Sequence, residues 1–215
     1  MQSEHTVPVW DLAVRVFHWS LVLFFSLAYV TGEDESNWHI YSGYAVLGLV
    51  VFRIVWGLVG SQYARFSNFV YSPGELVQYL RSLREKNPRH YLGHNPAGGW
   101  MIVALLASLL VVTLSGLKLY AVEEGKGPFA QLESDINLLD MSRADGDGDQ
   151  PALGNEQQEE FWEEIHEASV NFTLLLIVLH ITGVLVAGRL HHENLIMAML
   201  TGRKKIQNGS DREAP

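Results

Sequence analysis

The sequence predicts an all-α integral membrane protein: a four-helix bundle with a short amphipathic helix on one side of the bilayer and an acidic insert on the other. Three observations predict it. Apolar blocks run over 12–31, 40–58, 100–120 and 168–188, each close to the roughly 20 residues that cross a hydrocarbon core. Trp10, Trp38, Trp100 and Trp162 fall at the ends of these blocks, where an interfacial aromatic belt belongs. The charges are segregated. Segment 61–96 carries Arg65, Arg81, Arg84, Lys86 and Arg89 against Glu75 and Glu85, and the end of the chain carries Arg189, Arg203, Lys204, Lys205 and Arg212. Segment 121–160 has only Lys126 and Arg143 among eleven acidic residues.

Lys and Arg mark the cytoplasmic side. Both termini and the 61–96 loop are therefore expected inside, with Glu33, Asp34, Glu35 and the 121–160 segment outside. Four spans satisfy that arrangement. The first, over about 10–31, is expected to be a retained membrane helix rather than a cleaved signal peptide: Asp11 and Arg15 stand at its start, and Gly32-Glu33-Asp34 follows without a small-x-small cleavage site. The second covers about 38–60. In the loop after it, Ser72-Pro73-Gly74-Glu75 supplies an N-cap, a first-position proline and a third-position acid. Leu76, Tyr79, Leu80 and Leu83 then recur at helical spacing. This short helix either lies on the membrane or packs on the protein. The third span covers about 97–120 and the fourth about 161–190.

Between the last two spans, Asp145, Asp147, Asp149 and Glu156 echo a calcium loop. Gln150 stands where that loop needs glycine, so a solvated acidic loop is the expectation. One domain over 1–205 and a disordered tail over 206–215 complete the organisation. The 215 residues include no cysteine, which excludes disulfides, thiolate-held iron–sulfur clusters and thioether-attached haem.

Four of the nine histidines lie in or at the ends of apolar blocks: His18, His39, His166 and His180. His166 and His180 are 14 residues apart (180 − 166). On a helix that is about 21 Å of rise and nearly four turns, so both leave one face. The expected topology puts His18 and His180 near the inner surface, and His39 and His166 near the outer one. Ionisable groups inside a membrane are costly and usually functional. Two imidazoles saturate a haem iron and suit it to carrying electrons. The depth-matched pairs therefore read as axial ligands of two haem b groups. Gly43 and Gly183 leave room beside His39 and His180 for a flat macrocycle. Arg15 and Arg53 are placed to neutralise inner propionates, and Lys118 outer ones. Interhelical hydrogen bonding and a metal-ion pathway are the competing readings of the four histidines. His90, His94, His191 and His192 have no depth-matched partner in a span.

The run Val9-Trp10-Asp11-x3-Arg15-x-Phe17-His18-Trp19 resembles the opening of the prokaryotic cytochrome b-561 family, which includes the cytochrome b subunits of nickel–iron hydrogenases. The resemblance continues through His39-x3-Gly43-Tyr44, Phe52-Arg53-x2-Trp56-Gly57, Ser72-Pro73-x-Glu75 and Gly93-His94-Asn95-Pro96-x-Gly98. It ends through His166-Glu167, His180-x2-Gly183-Val184, His192-Glu193-Asn194-Leu195 and Ala198-Met199-x-Thr201-Gly202-Arg203-Lys204. It covers nearly the whole chain except 121–160.

The resemblance implies a four-helix di-haem cytochrome of the bacterial inner membrane that exchanges electrons with the quinone pool. Carried over, His18 and His180 hold the inner haem, and His39 and His166 the outer one. In relatives the quinone sits beside the inner haem near an Asn that begins the third helix, a place Asn95 occupies here. The implied partners are membrane lipid, a quinone and a periplasmic redox protein: a c-type cytochrome, a hydrogenase or another dehydrogenase. A homodimer is compatible, and no nucleic-acid partner is expected. A stand-alone oxidoreductase passing electrons from superoxide to quinone is the alternative within redox chemistry. The net charge of −9, concentrated outside, weighs against it because an acidic face repels anions. A metal-ion transporter is the non-redox alternative.

Overall fold

The structure, a computed structural model, describes residues 6–32, 36–84, 90–91, 93–131, 155–191, 193–205 and 211–212. The Asp145–Asp149 run, His5 and His192 lie outside the described residues. The main helices among them are α1 (Leu12–Val30), α2 (Asn37–Val59), α3 (Pro73–Ser82), α4 (Pro96–Glu124), α5 (Asn155–Leu190) and α6 (Leu195–Thr201), with a 3-10 turn at Phe66–Asn68. Helices α1, α2, α4 and α5 are long and apolar enough to cross a membrane. Much of their apolar surface faces outward: Leu23 is 63 % exposed, Leu58 67 % and Val178 60 %. Such surface in water would be a severe liability, and in a bilayer it meets lipid.

The ends of α1 and α2 fall within two residues of the expected ones. The third and fourth spans do not stop where the apolar pattern stops. Helix α4 runs on through Ala121-Val122-Glu123-Glu124, and α5 begins at Asn155, six residues before the expected start. Glu156, in the first turn of α5, sits where the helix dipole favours an anion. A polar, acidic stretch can therefore be helical without an apolar face. Of the span expected to be a disordered tail, Asp211–Arg212 form a short parallel pair with His90–Tyr91.

The chain divides into two compact units, residues 1–107 with 175–215, and residues 108–174. In the first, α1 packs on α2, with Val14 and Phe17 of α1 and Val46 and Val50 of α2 buried. Strand Thr6–Pro8 pairs antiparallel with Arg203–Lys205. The turn between α6 and that strand needs glycine: Gly202 has φ +80°, and a β-carbon there would come within 2.6 Å of the Trp10 carbonyl. Helix α3 starts with the predicted capping box, Ser72 Oγ accepting from Glu75 N at 3.3 Å and Glu75 Oε2 from Ser72 N at 3.0 Å. Tyr79 and Ser82 are buried, so one face of α3 packs on the protein, while Val77 and Leu80 remain exposed. In the second unit Leu109, Val112, Thr113 and Ser115 of α4 and Thr173 of α5 are buried.

One carboxylate ties the start of α1 to distant chain. Asp11 caps α1 by accepting from Val14 N at 2.7 Å, and it also accepts from Trp56 Nε1 at 3.0 Å and from Ser61 Oγ. Burial pushes the Asp11 carboxyl up, but the hydrogen bonds from Ser61, Val14 and Trp56 and the Arg53 charge outweigh it and hold it below the usual carboxylate range. Its contribution to stability is therefore complete above the ordinary carboxylate pKa and is lost as pH falls through the lowered one. Asp11→Ala removes a cap and leaves Arg53, only 3 % exposed, without its carboxylate. The expected cost is about 2–3 kcal/mol, read as lowered resistance to denaturation of the solubilised protein near neutral pH.

Candidate functional site

In the first unit, three side chains converge around His180 and the early turns of α1. His18 lies in the second turn of α1, its ring edge-on to Trp19 at 5.1 Å. His180, on α5, is near enough for the two imidazoles to interact electrostatically. His94, in the segment leading into α4, feels His180, Arg53 and Lys204. Its ring lies 4.3 Å from Trp10 and 4.6 Å from Phe69, centroid to centroid. Burial first, and then the charges of Arg53, Lys204 and His180, push the His94 imidazole down to about 3. It is thus neutral at physiological pH.

The flanking cations have definite partners. Arg15 Nη1 donates to Leu200 O at 2.6 Å. Arg53 Nη1 donates to Ala64 O at 3.1 Å, and its guanidinium lies 5.1 Å from the Phe66 ring and 5.8 Å from Phe69. These contacts join α2 to the loop after it. Lys204 pairs with Glu193 at 2.9 Å, both nearly fully buried, and donates to Tyr91 O at 3.1 Å. Asn95 uses its side-chain oxygen to cap α4, accepting from Gly98 N at 2.7 Å.

Among the described residues, the buried side-chain nitrogens and oxygens without a hydrogen-bond partner are Arg15 Nε, His18 Nδ1 and His94 Nδ1. Buried polar groups are normally satisfied, and an exception asks for a reason. All three belong to the first unit, in the region of the inner ligand pair expected from the sequence. A bound group with anionic or hydrogen-bonding edges fits that set.

The glycines sort in the same sense. A β-carbon at Gly57 would collide with the Phe66 ring, and one at Gly99 with the Phe69 carbonyl, so protein packing explains both. At Gly43 and Gly183 a β-carbon would meet nothing within 4 Å. The same holds at Gly48, so among the described residues packing gives no reason for glycine at any of the three.

The other two histidines have a different ring chemistry. His39, in the first turn of α2, donates from Nδ1 to Ala28 O of α1 at 2.9 Å. In the second unit, His166 of α5 donates from Nδ1 to Val112 O of α4 at 3.1 Å, with Ser115 Oγ also at 3.1 Å. A carbonyl only accepts, so each ring carries a proton on Nδ1. This is the usual outer-shell arrangement of a metal-ligating histidine. The His166 ring rests on Gly116, where a β-carbon would come within 2.9 Å of it. Lys118 lies 6.0 Å from the Trp162 ring centroid.

Sequence reasoning assigned His94 no ligand role, because that histidine has no depth-matched partner within a span. It also missed Ser115 and Gly116, whose one available signal was a small-residue pair inside an apolar run. Among the described residues no three His, Asp or Glu side chains gather as a metal-ion site would need.

Long apolar helices carrying imidazoles tethered to backbone carbonyls are what a membrane haem protein of the cytochrome b class presents. The model of the family described as prokaryotic cytochrome b561 matches residues 9–202, and the chain belongs to that family. Over 97 % of the chain it is 22 % identical to a probable Ni/Fe-hydrogenase B-type cytochrome subunit of Rhodobacter capsulatus, covering 85 % of that protein. It is 21 % identical to the protein of the same description from Azotobacter vinelandii, over 97 % of the chain and 92 % of the relative. The corresponding protein of Azotobacter chroococcum mcd 1 is 25 % identical over 60 % of the chain and 66 % of its own length. No solved structure matches. The protein is a multi-pass membrane cytochrome that binds b-type haem and takes part in electron transfer.

The Gly116 contact is testable. Gly116→Val must displace the His166 ring, and the expected result is a lower b-haem content per purified chain with α-helical content unchanged. Full haem content would show that the ring's position on Gly116 is immaterial.

Proposed function

We propose that the chain conducts electrons across the bacterial inner membrane between a periplasmic redox protein and the quinone pool, through two bis-histidine b-type haems. The observation that supports this reading is the tethering of His39 and His166 through Nδ1 to backbone carbonyls, the outer contact usual for a metal-ligating histidine. The pairing of His39 with His166 rests on matched depth in the sequence. The pairing of His18 with His180 has in addition their electrostatic proximity and the unpartnered Nδ1 of His18. Iron supplies the one-electron chemistry when haem is bound. The protein's residues fix the ligand rings, leave room at Gly43 and Gly183, and neutralise propionates. For that last role Arg15, with an unpartnered Nε, is better supported than Arg53, which is engaged with Ala64, Phe66 and Phe69.

Both termini are cytoplasmic in this reading, and the acidic 121–160 segment faces a basic docking surface on the partner. The relatives named as hydrogenase cytochrome subunits make a hydrogenase the first partner to test. Asn95 is the proposed quinone contact. Its oxygen is committed to the α4 cap, so its amide NH2 is the group left to donate to a quinone carbonyl.

Haem extraction should give two b haems per chain. His180→Ala should remove the inner haem and spare the outer, and His166→Ala should do the reverse. A stoichiometry of one, or loss of the same haem in both variants, contradicts the pairing.

Asn95→Asp keeps the capping oxygen and deletes the amide donor. The expected result is intact haem spectra with slower haem–quinol exchange. Unchanged exchange in the fully loaded variant removes Asn95 from the quinone site.

A further inference from the structure

Helices α3 and α6 lie outside the four spans, yet neither presents an ordinary water-facing surface. On α3, Tyr79 and Ser82 are buried against the protein. Val77, Leu80, Arg81 and Arg84 follow one another at three- and four-residue steps, which is a second helical stripe, and all four are exposed. On α6, Ala198 is buried, while Ile196, Met197 and Leu200 are each 51 % exposed. That is three large apolar side chains on a seven-residue helix. Arg203, three residues after Leu200, is exposed as well.

Hydrogen bonds to the spans fix where these helices sit. Trp100, near the start of α4, donates from Nε1 to Tyr71 O at 3.1 Å, one residue before the Ser72 cap of α3. Arg15, in the first turn of α1, donates to Leu200 O of α6 at 2.6 Å. Helix α6 begins five residues after α5 ends. Spans that alternate in direction bring the start of α1, the start of α4 and the end of α5 to the same membrane face. Helices α3 and α6 are therefore anchored at the level where hydrocarbon gives way to headgroups. Tyr91 joins them: its ring lies edge-on to Tyr79 at 5.7 Å, and its carbonyl accepts from Lys204 Nζ at 3.1 Å.

The charges left at that level are positive. Over residues 73–84 and 195–204 the exposed ions are Arg81, Arg84 and Arg203 against Glu75. Glu75 is engaged in the capping box at the far end of α3, and Lys204 is buried against Glu193. Guanidinium groups bind phosphate in a bidentate manner, and their long stems let them do so above an apolar surface. Exposed apolar side chains beside exposed arginines, at headgroup depth, match an amphipathic interfacial helix facing acidic lipid. We propose that α3 and α6 together form a binding surface for anionic phospholipid, with the exposed apolar side chains against acyl chains and Arg81, Arg84 and Arg203 on the phosphates. The surface does not depend on the number of haems or on their pairing.

The test is native mass spectrometry of the purified, haem-loaded full-length protein, released from neutral detergent containing equal amounts of phosphatidylglycerol and phosphatidylcholine. The unaltered protein is expected to retain phosphatidylglycerol in excess. Arg81→Gln with Arg84→Gln and Arg203→Gln should lower that excess by about tenfold, with haem content and phosphatidylcholine retention unchanged. Leu80→Gln with Leu200→Gln, which leaves every charge in place, should lower retention of both lipids. Arg65→Gln with Arg189→Gln removes exposed charge outside the two helices and should leave the excess as it was. Equal retention of the two lipids by the unaltered protein, an undiminished excess in the triple variant, undiminished retention in the leucine variant, or an equal loss in the Arg65 and Arg189 variant overturns the proposal. An undiminished excess accompanied by conversion of a dimer to a monomer in the triple variant would assign the surface to a second copy of the chain instead.

Discussion

An imidazole inside a bilayer has two ring nitrogens and almost no water with which to satisfy them. An unsatisfied polar group there costs several kcal/mol, on the order of the values for water-to-hydrocarbon transfer. This constraint organises the molecule. His39 and His166 answer it through Nδ1 with backbone carbonyls of neighbouring helices, Ala28 of α1 and Val112 of α4. In doing so they tie helix to helix. His18 Nδ1 has no such partner. A residue with that need is tolerated in a span when a bound group repays it, and in the proposed reading that group is haem iron.

The rest of the first unit holds that region in place. Asp11 joins the start of α1 to Trp56 and Ser61, with Arg53 beside it. Arg53 in turn binds the Ala64 carbonyl between the Phe66 and Phe69 rings. Phe69 and Trp10 enclose His94. The Trp10 backbone donates to Gly202 O at 3.1 Å, linking the two ends of the chain. Helix α1 buries little of its own surface, so these polar ties do what a broad apolar core does in a water-soluble domain. A membrane bundle has no hydrophobic drive between helices and relies on such contacts.

The sequence made the four spans legible because hydrocarbon thickness imposes a length that composition reveals directly. The Ser72–Glu75 capping box was legible because both of its partners are three residues apart. Helical extension through Glu123–Glu124 and over Asn155–Glu160 was not, because those stretches carry no apolar period. Long-range polar partners were invisible for a different reason. Nothing in the order of residues says that Asp11 reaches Ser61, or that Arg53 turns to Ala64 rather than to a cofactor edge. His94 has the same history: in sequence it is a loop histidine, and the fold encloses it between two aromatic rings.

Imidazole nitrogens from these helices are the proposed axial ligands of the iron. Near-infrared magnetic circular dichroism of the oxidised, fully loaded protein tests this most directly, because its low-energy charge-transfer band identifies the ligand pair. Low-spin iron with only the bis-imidazole signature is the predicted result. A high-spin fraction in intact protein, or a band belonging to thioether, amine or hydroxide ligation, would contradict it.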